Sequence, residues 1–348
     1  MNKVLLSNLS LFLRSKSNLS DAQIDKIKNL YEKYGREGVE SFLRNEKSVV
    51  PFASLLLSEL GIDQSYWKSV HQTYIERNEQ ILDFLEKVFA TYYTKGGKSL
   101  CVVENFGSML SSGISLGCFA SNDVDLTADF DEKPFLIETF AEEGFTLNQR
   151  GTHPIDNKQI STFYNPDVLA GKGYWLNVMW TPVSRAYLLP QNMTGKRLHE
   201  ERTLHTECYK DSEIRLLNPT AQVYFSAIHM ASEHYFTASP GMSLQCDIDR
   251  VAINRDVDWD AIVRWSKEDK QGCRISMGVE ICHECLGTDI PLEKFDRSGS
   301  TYKSLRNQLF VGDGVLNCQM GKLKRLYVEI ASDNKPILCA LISRIWRR

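Results

Sequence analysis

The hydrophobic period of this chain changes twice, and those changes limit the folds that it can adopt. Over the first hundred residues apolar side chains recur every three or four positions, as at Ile81, Leu85 and Val88, which predicts amphipathic helices. After "TKGGKS" the pattern shortens, and "DVDLTADF" alternates polar and apolar residues as a strand does. From Asn218 onward the helical spacing returns.

This order of segments predicts an α+β protein: a small mixed sheet flanked by N-terminal and C-terminal helical regions. We expect a helical region over residues 1–98, an α+β domain over residues 99–190 and a second helical region over residues 191–348. Inside the middle domain a strand is expected at Leu100–Asn105, followed by helix, strand, helix and further strands.

Charge and cysteine content narrow the class of protein. The formal net charge is -3 and the sequence pI is about 6.2, so the chain has no overall basic field to attract nucleic acid or an anionic membrane. The nine cysteines are odd in number and scattered, which is typical of reduced thiols in the cytoplasm. The last apolar run, "PILCALISRIW", is too short to span a bilayer. The composition leaves the oligomeric state open.

Two aspartates separated by one valine stand in the predicted strand "DVDL". Because side chains alternate between the faces of a strand, Asp123 and Asp125 should point the same way, with Val124 and Leu126 pointing into the core. Two carboxylates on one face repel each other unless a hard cation binds between them, and Mg²⁺ favours one or two carboxylates with water and phosphate oxygens. The pair therefore predicts a site for Mg²⁺ or Mn²⁺, the alternative being a solvated sheet face.

A Gly-Ser pair precedes the two aspartates. Gly107 would let the backbone turn after the first strand, and Ser108 would present its hydroxyl and N–H to an anion at the start of the following helix. A triphosphate also needs cations, for which Lys172, Lys196 and Arg197 are candidates, although such residues commonly lie on solvated faces. Together these residues predict binding of a nucleoside triphosphate.

Two histidines in the segment "AIHMASEHYF" are further candidates of lower specificity. His229 and His234 lie about 140° apart around a helix at roughly 100° per residue, so they would not easily share one metal ion. We expect each histidine to lie either in the core or next to the residues that bind a ligand. Direct contact with the substrate is the alternative.

A Gly-Ser after a first strand, then a helix, then Asp-x-Asp in a second strand resembles the DNA polymerase beta-like nucleotidyltransferase superfamily. "FGSML", "DVDL", "VVPFASLLLSELGI" and "DWDAIVRWSKE…LGTDIP" are more narrowly similar to its family of uncharacterised bacterial nucleotidyltransferases, over residues from about 20 to about 292. The resemblance implies a nucleotidyltransferase-like middle domain. It also implies metal-dependent transfer of a nucleoside monophosphate to an acceptor hydroxyl or similar nucleophile, with release of pyrophosphate.

By the same resemblance Asp123 and Asp125 would be catalytic metal ligands, and a third carboxylate would come from the later strand "YWLNVMW". This chain has Asn177 there, and an amide cannot act as a general base. Three possibilities follow. The site works without a third carboxylate, another acid such as Asp156 or Asp167 approaches, or catalysis is lost and a nucleotide-binding or scaffold protein remains.

The acidic balance disfavours a nucleic-acid acceptor, because a polymerase needs a basic track for the phosphate backbone. The expected acceptor is therefore a small molecule, a peptide or a protein.

Overall fold

The computed structural model describes residues 3–45, 49–148, 160–180, 206–232, 236, 241–311 and 315–316. The N-terminal part is helical, as predicted. Its helices are α1 (Lys3–Ser7), α2 (Asp21–Asn45), α3 (Val50–Glu59) and α4 (Gln64–Thr94). Before α2, the backbone N–H of Ser20 donates to Oε1 of Gln23 at 3.0 Å, which satisfies a donor at the helix start.

Strands begin after α4. The elements of the middle segment are β1 (Cys101–Val102), α5 (Glu104–Ser112), β2 (Asp123–Thr127), α6 (Lys133–Glu142), β3 (Thr146–Leu147), β4 (Ile160–Asn165), α7 (Val168–Gly171), β5 (Tyr174–Met179), β6 (Thr206–Cys208) and β7 (Arg215–Leu217). The strand expected at Leu100–Asn105 is thus only two residues long. The chain leaves it at Val103, and Glu104 already begins α5.

Helices return after β7. They are α8 (Pro219–Ser232), α9 (Gly241–Asn254), α10 (Trp259–Glu268), α11 (Gly272–Leu286) and α12 (Ser300–Leu309), followed by the hairpin β8 (Phe310–Val311) and β9 (Val315–Leu316). No helix in the described ranges combines the length and the apolar character that a bilayer crossing requires.

Within the described residues the main sheet has seven strands in the order β3-β4-β5-β2-β1-β7-β6. β2 runs parallel to β5 and β1 parallel to β7, while the other neighbours are antiparallel. This mixed sheet between helical segments confirms the predicted α+β fold class. Its two last strands, β6 and β7, come after residue 190, so the sheet draws on more of the chain than the predicted middle domain, whose boundaries stay predictions.

Two main hydrophobic cores hold these layers together. One lies between the sheet and helices α4, α5 and α6, and includes Phe89, Phe106 and Phe140. The other is shared by the N-terminal and C-terminal helices, and Trp67 and Tyr224 both belong to it. Across this second core Nε of Arg14 donates to the carbonyl of Cys285 at 3.1 Å, 271 residues further along the chain.

Candidate active site

The two aspartates lie on β2 as the alternation predicts. Val124 and Leu126 are fully buried in the sheet core, whereas Asp123 and Asp125 are half-buried on the opposite face. β-branched and apolar residues alternate here with carboxylates, so one face packs and the other carries charge. The prediction that both carboxylates share one face of a strand is confirmed.

Asn177 lies between the two aspartates. The parallel register of β2 and β5 places it beside Asp125. Its Nδ2 donates to Oδ2 of Asp123 at 2.8 Å and to Oδ1 of Asp125 at 3.2 Å. The structure therefore brings together all three residues predicted as catalytic, and one amide bridges the two carboxylates.

The electrostatics of the pair are unusual. Burial and the adjacent charge of Asp123 raise the pKa of Asp125 from 3.8 to about 7, against hydrogen bonds from Asn177 and Glu104 that lower it. A cation between the carboxylates would relieve both unfavourable contributions, since it replaces lost hydration and offsets the repulsion.

Helix α4 contacts the segment that leads into β2. Ser121 donates its hydroxyl to Oδ1 of Asp123, and the carbonyl of Ser121 accepts hydrogen bonds from the Arg77 guanidinium and, at 3.0 Å, from the Tyr174 hydroxyl. The guanidinium also lies 5.5 Å from the centre of the Tyr174 ring. Helix α4 thereby helps to orient the first aspartate.

The Gly-Ser pair lies inside α5 rather than at its start. A Cβ on Gly107 would stand 3.0 Å from the carbonyl oxygen of Val102, so this glycine lets α5 pack closely against β1. The Ser108 hydroxyl is buried and accepts from Nε2 of Gln222 at 2.7 Å. The sharp turn that the sequence assigned to Gly107 falls instead at Glu104, whose φ is 55°. Binding of triphosphate by Gly107 and Ser108 stays a prediction.

The structure describes one of the three residues predicted to bind phosphate through their positive charge. Lys172 is exposed at the end of α7, in the connection from β4 to β5. Lys196 and Arg197 lie outside the described residues, as do His234 and Asp156. Asp167, the other acid considered as a substitute, is exposed in the turn after β4.

Sequence reasoning missed Glu104. This buried residue opens α5, its carboxyl hydrogen-bonds to that of Asp125, and its Oε1 lies 3.2 Å from Nδ1 of His229. His229 is a buried residue of α8 whose ring stacks on Phe225, in agreement with the expected location near a site or in the core. A lone carboxylate directly after the apolar run "LCVV" and three residues before Gly-Ser was the available signal.

The donor set is compatible with a hard divalent cation. Two carboxylates on one face match the one or two that Mg²⁺ uses together with water and phosphate oxygens. Among the described residues no group of three or more His, Cys, Asp or Glu side chains is arranged to hold a metal ion. Water, substrate or the Asn177 amide, turned so that its oxygen faces inward, would complete the coordination.

The protein thus has an α+β fold, and strand β2 of its mixed sheet carries the two aspartates next to the start of α5. Residues 116–287 match the model of a family described as uncharacterised nucleotidyltransferase, which supports a nucleotidyltransferase family for this chain. The match covers just under half of the chain, including Asp123, Asp125 and Asn177, and begins after Gly107 and Ser108. No curated protein and no solved structure matches the chain.

Proposed function

We propose that this protein is a metal-dependent nucleotidyltransferase that moves a nucleoside monophosphate from a triphosphate to a small-molecule, peptide or protein acceptor. The observation that carries the proposal is the juxtaposition of Asp123 and Asp125 on one face of β2, bridged by the amide of Asn177. The family match over residues 116–287 supports the reaction class.

In this proposal Asp123 and Asp125 bind Mg²⁺ or Mn²⁺, which when bound neutralises charge on the phosphates and on the attacking oxygen. Asn177 keeps the two carboxylates together and fixes their orientation through its two hydrogen bonds. Lys172, Lys196 and Arg197 are the candidates to neutralise the departing pyrophosphate, and Gly107 and Ser108 the candidates to position the triphosphate.

The acceptor follows from charge. The net charge of -3 argues against a nucleic-acid acceptor, which needs a basic track for its phosphate backbone, so we propose a small molecule, a peptide or a protein as the acceptor. We also place the protein in the cytoplasm, because the cysteines in the described ranges are all free thiols, most of them buried.

The neutral side chain at position 177 favours a second candidate, a nucleotide-binding or scaffold protein with impaired catalysis. An amide has no proton affinity near neutral pH, so Asn177 cannot take the acceptor proton. Binding without turnover is the outcome that this candidate requires.

Transfer of differently labelled nucleotides tests the proposal. The protein is incubated with Mg²⁺, a cell lysate and each of the four ribonucleoside triphosphates, labelled at either the α- or the γ-phosphate. Nucleotidyl transfer moves the α-label to an acceptor and releases the γ-label in pyrophosphate. Asp125→Ala should abolish transfer, while Asp83→Ala, which removes an exposed carboxylate of α4, should leave it intact.

The remaining outcomes separate the two candidates. Metal-dependent triphosphate binding without transfer of either label would favour the impaired protein. Transfer of the γ-label would contradict nucleotidyl transfer, and the absence of any triphosphate binding would exclude both candidates.

A further inference from the structure

The acidic pair has a neighbour from outside β2 and β5. The backbone N–H of Val103 donates to the carbonyl of Asp125 at 2.9 Å, which extends the pairing of β1 with β2 by one residue. The next residue, Glu104, therefore emerges beside Asp125, and its carboxyl hydrogen-bonds to the Asp125 carboxyl. The strand register thus determines which side chain reaches the pair from this direction.

Glu104 is held on its other side by the C-terminal helices. His229 of α8 brings its Nδ1 to 3.2 Å from Oε1 of Glu104, and the side chains of both residues are over nine-tenths buried. The imidazole stacks on the ring of Phe225, with the two ring centres 5.8 Å apart and an angle of 10° between the ring planes. This stacking limits the rotation of the imidazole. A continuous series of contacts runs from α8 through Glu104 to Asp125.

Placing a carboxyl here costs stability. The left-handed backbone of Glu104, with φ of 55°, costs about 1 kcal/mol in a residue other than glycine. Burying the carboxyl group of Glu104 beside Asp125 adds a cost of desolvation. Since such costs concentrate at functional sites, a role in fixing the pair explains the residue better than packing alone does.

We propose that Glu104 is a positioning residue that holds the carboxylate of Asp125 in its metal-binding orientation and is itself held by His229. The inference rests on the proposed function, because it concerns the same acidic pair. Hydrogen-bonded partners of a metal-binding carboxylate orient it, and their substitution typically lowers metal affinity about 10- to 100-fold. With Asn177 on β5, Glu104 restrains Asp125 from a second direction.

Binding of Mn²⁺ alone to the full chain tests the role of Glu104. Calorimetry and the electron paramagnetic resonance of bound Mn²⁺ should show about a 10-fold or greater loss of affinity for Glu104→Ala. Glu104→Gln should retain most of the affinity, because its amide keeps the length of the side chain, can donate to Asp125 and leaves an oxygen beside Nδ1 of His229. Glu104→Asp, which draws the carboxyl back by one methylene, serves as the disruptive variant should Glu104→Ala not fold.

His229→Phe tests the second link, since it preserves the stacked ring and removes Nδ1. It should also weaken Mn²⁺ binding, and its effect should be much smaller in the Glu104→Ala background, because both changes break the same series of contacts. Glu280→Ala is the matched control. It removes a buried carboxylate paired with Arg297 and Arg306, so it should lower stability without changing Mn²⁺ affinity.

Distinct outcomes separate this inference from the proposed function. Wild-type protein that binds no Mn²⁺ would overturn both. Wild-type binding that Asp125→Ala removes but Glu104→Ala leaves unchanged would overturn only the positioning role. A loss of Mn²⁺ affinity in Glu104→Gln as large as that in Glu104→Ala would also overturn the positioning role. A side chain of the same length would then have failed to replace Glu104.

Discussion

Nδ2 of Asn177 donates to Oδ2 of Asp123 at 2.8 Å, so a neutral amide on β5 holds a carboxylate of β2. The same nitrogen reaches Asp125 at 3.2 Å and draws two like charges towards one donor. This bridge is a direct favourable contact that the two carboxylates share, and it makes the stability of the pair sensitive to the charge at position 177.

Asn177→Asp should convert the bridge into a third carboxylate. We expect Mn²⁺ affinity to rise about 10-fold or more, because a third negative oxygen ligand faces the cation. Without metal the variant should be less stable by about 1–3 kcal/mol, since it loses a donor and gains repulsion. Calorimetry and urea unfolding measure the two effects. Asn45→Asp, at the exposed end of α2, is the control, and unchanged or weaker Mn²⁺ binding by Asn177→Asp would contradict the prediction.

Asp125→Asn should stabilise the protein at alkaline pH in the presence of EDTA. Because the pKa of Asp125 is raised in the folded state from 3.8 to about 7, its ionisation destabilises the fold increasingly as pH rises across that interval. At about 1.4 kcal/mol per pKa unit the gain at pH 8 is at most about 4 kcal/mol, and partial exposure of the carboxylate reduces it. The gain should vanish towards pH 4.

Urea unfolding between pH 4 and pH 8 measures this dependence. Asp83→Asn removes an exposed carboxylate of α4 by the same substitution and serves as the control. Parallel profiles for the two variants relative to wild type would show that the environment of Asp125 does not have the predicted effect.

Gly107→Ala should destabilise the fold by about 1–3 kcal/mol, because the new methyl group would meet backbone atoms of Val102 at 3.0 and 3.1 Å that cannot easily move. Gly38→Ala is the matched control within α2. Its methyl group would meet Cβ of Tyr34 at 3.4 Å, an ordinary van der Waals distance, so there alanine should stabilise by up to about 1 kcal/mol. Opposite shifts of the urea midpoint are expected, and two shifts of the same sign would refute the packing argument.

Asn78→Ala should loosen the segment that leads into β2. The fully buried Asn78 donates Nδ2 to the carbonyl of Phe119 at 2.9 Å and also to that of Leu116, so its loss leaves two carbonyls without this donor. We expect a cost of about 2–4 kcal/mol by thermal or urea unfolding. Gln80→Ala, an exposed amide two residues further along α4, should change stability by less than about 0.5 kcal/mol. Equal effects of the two substitutions would count against the assigned contacts.

Local pattern sufficed for part of the site. Alternation around "DVDL" predicted that Asp123 and Asp125 share a strand face, because the side-chain period of a strand is a local property. The proximity of Asn177 to the two aspartates depends on the parallel register of β2 and β5, whose paired residues are more than fifty positions apart. The sequence indicated this proximity only through the family resemblance.

Glu104 escaped prediction for a related reason. Its segment carries β-forming residues, so the sequence favoured a longer strand, whereas tertiary packing ends β1 at Val102 and starts a helix. The contact with His229 joins residues 125 positions apart, which no periodicity reveals. The close packing that Gly107 permits likewise becomes visible only once α5 lies against β1.

The contact between Arg14 and Cys285 has a consequence for biosynthesis. The N-terminal helices leave the ribosome long before the helices that cover their apolar faces have been made, since α8 and α11 belong to the same core. That core closes only after the intervening sheet segment has been translated. The nascent chain therefore exposes apolar surface during much of its synthesis, which makes it prone to aggregate until the C-terminal helices have been made.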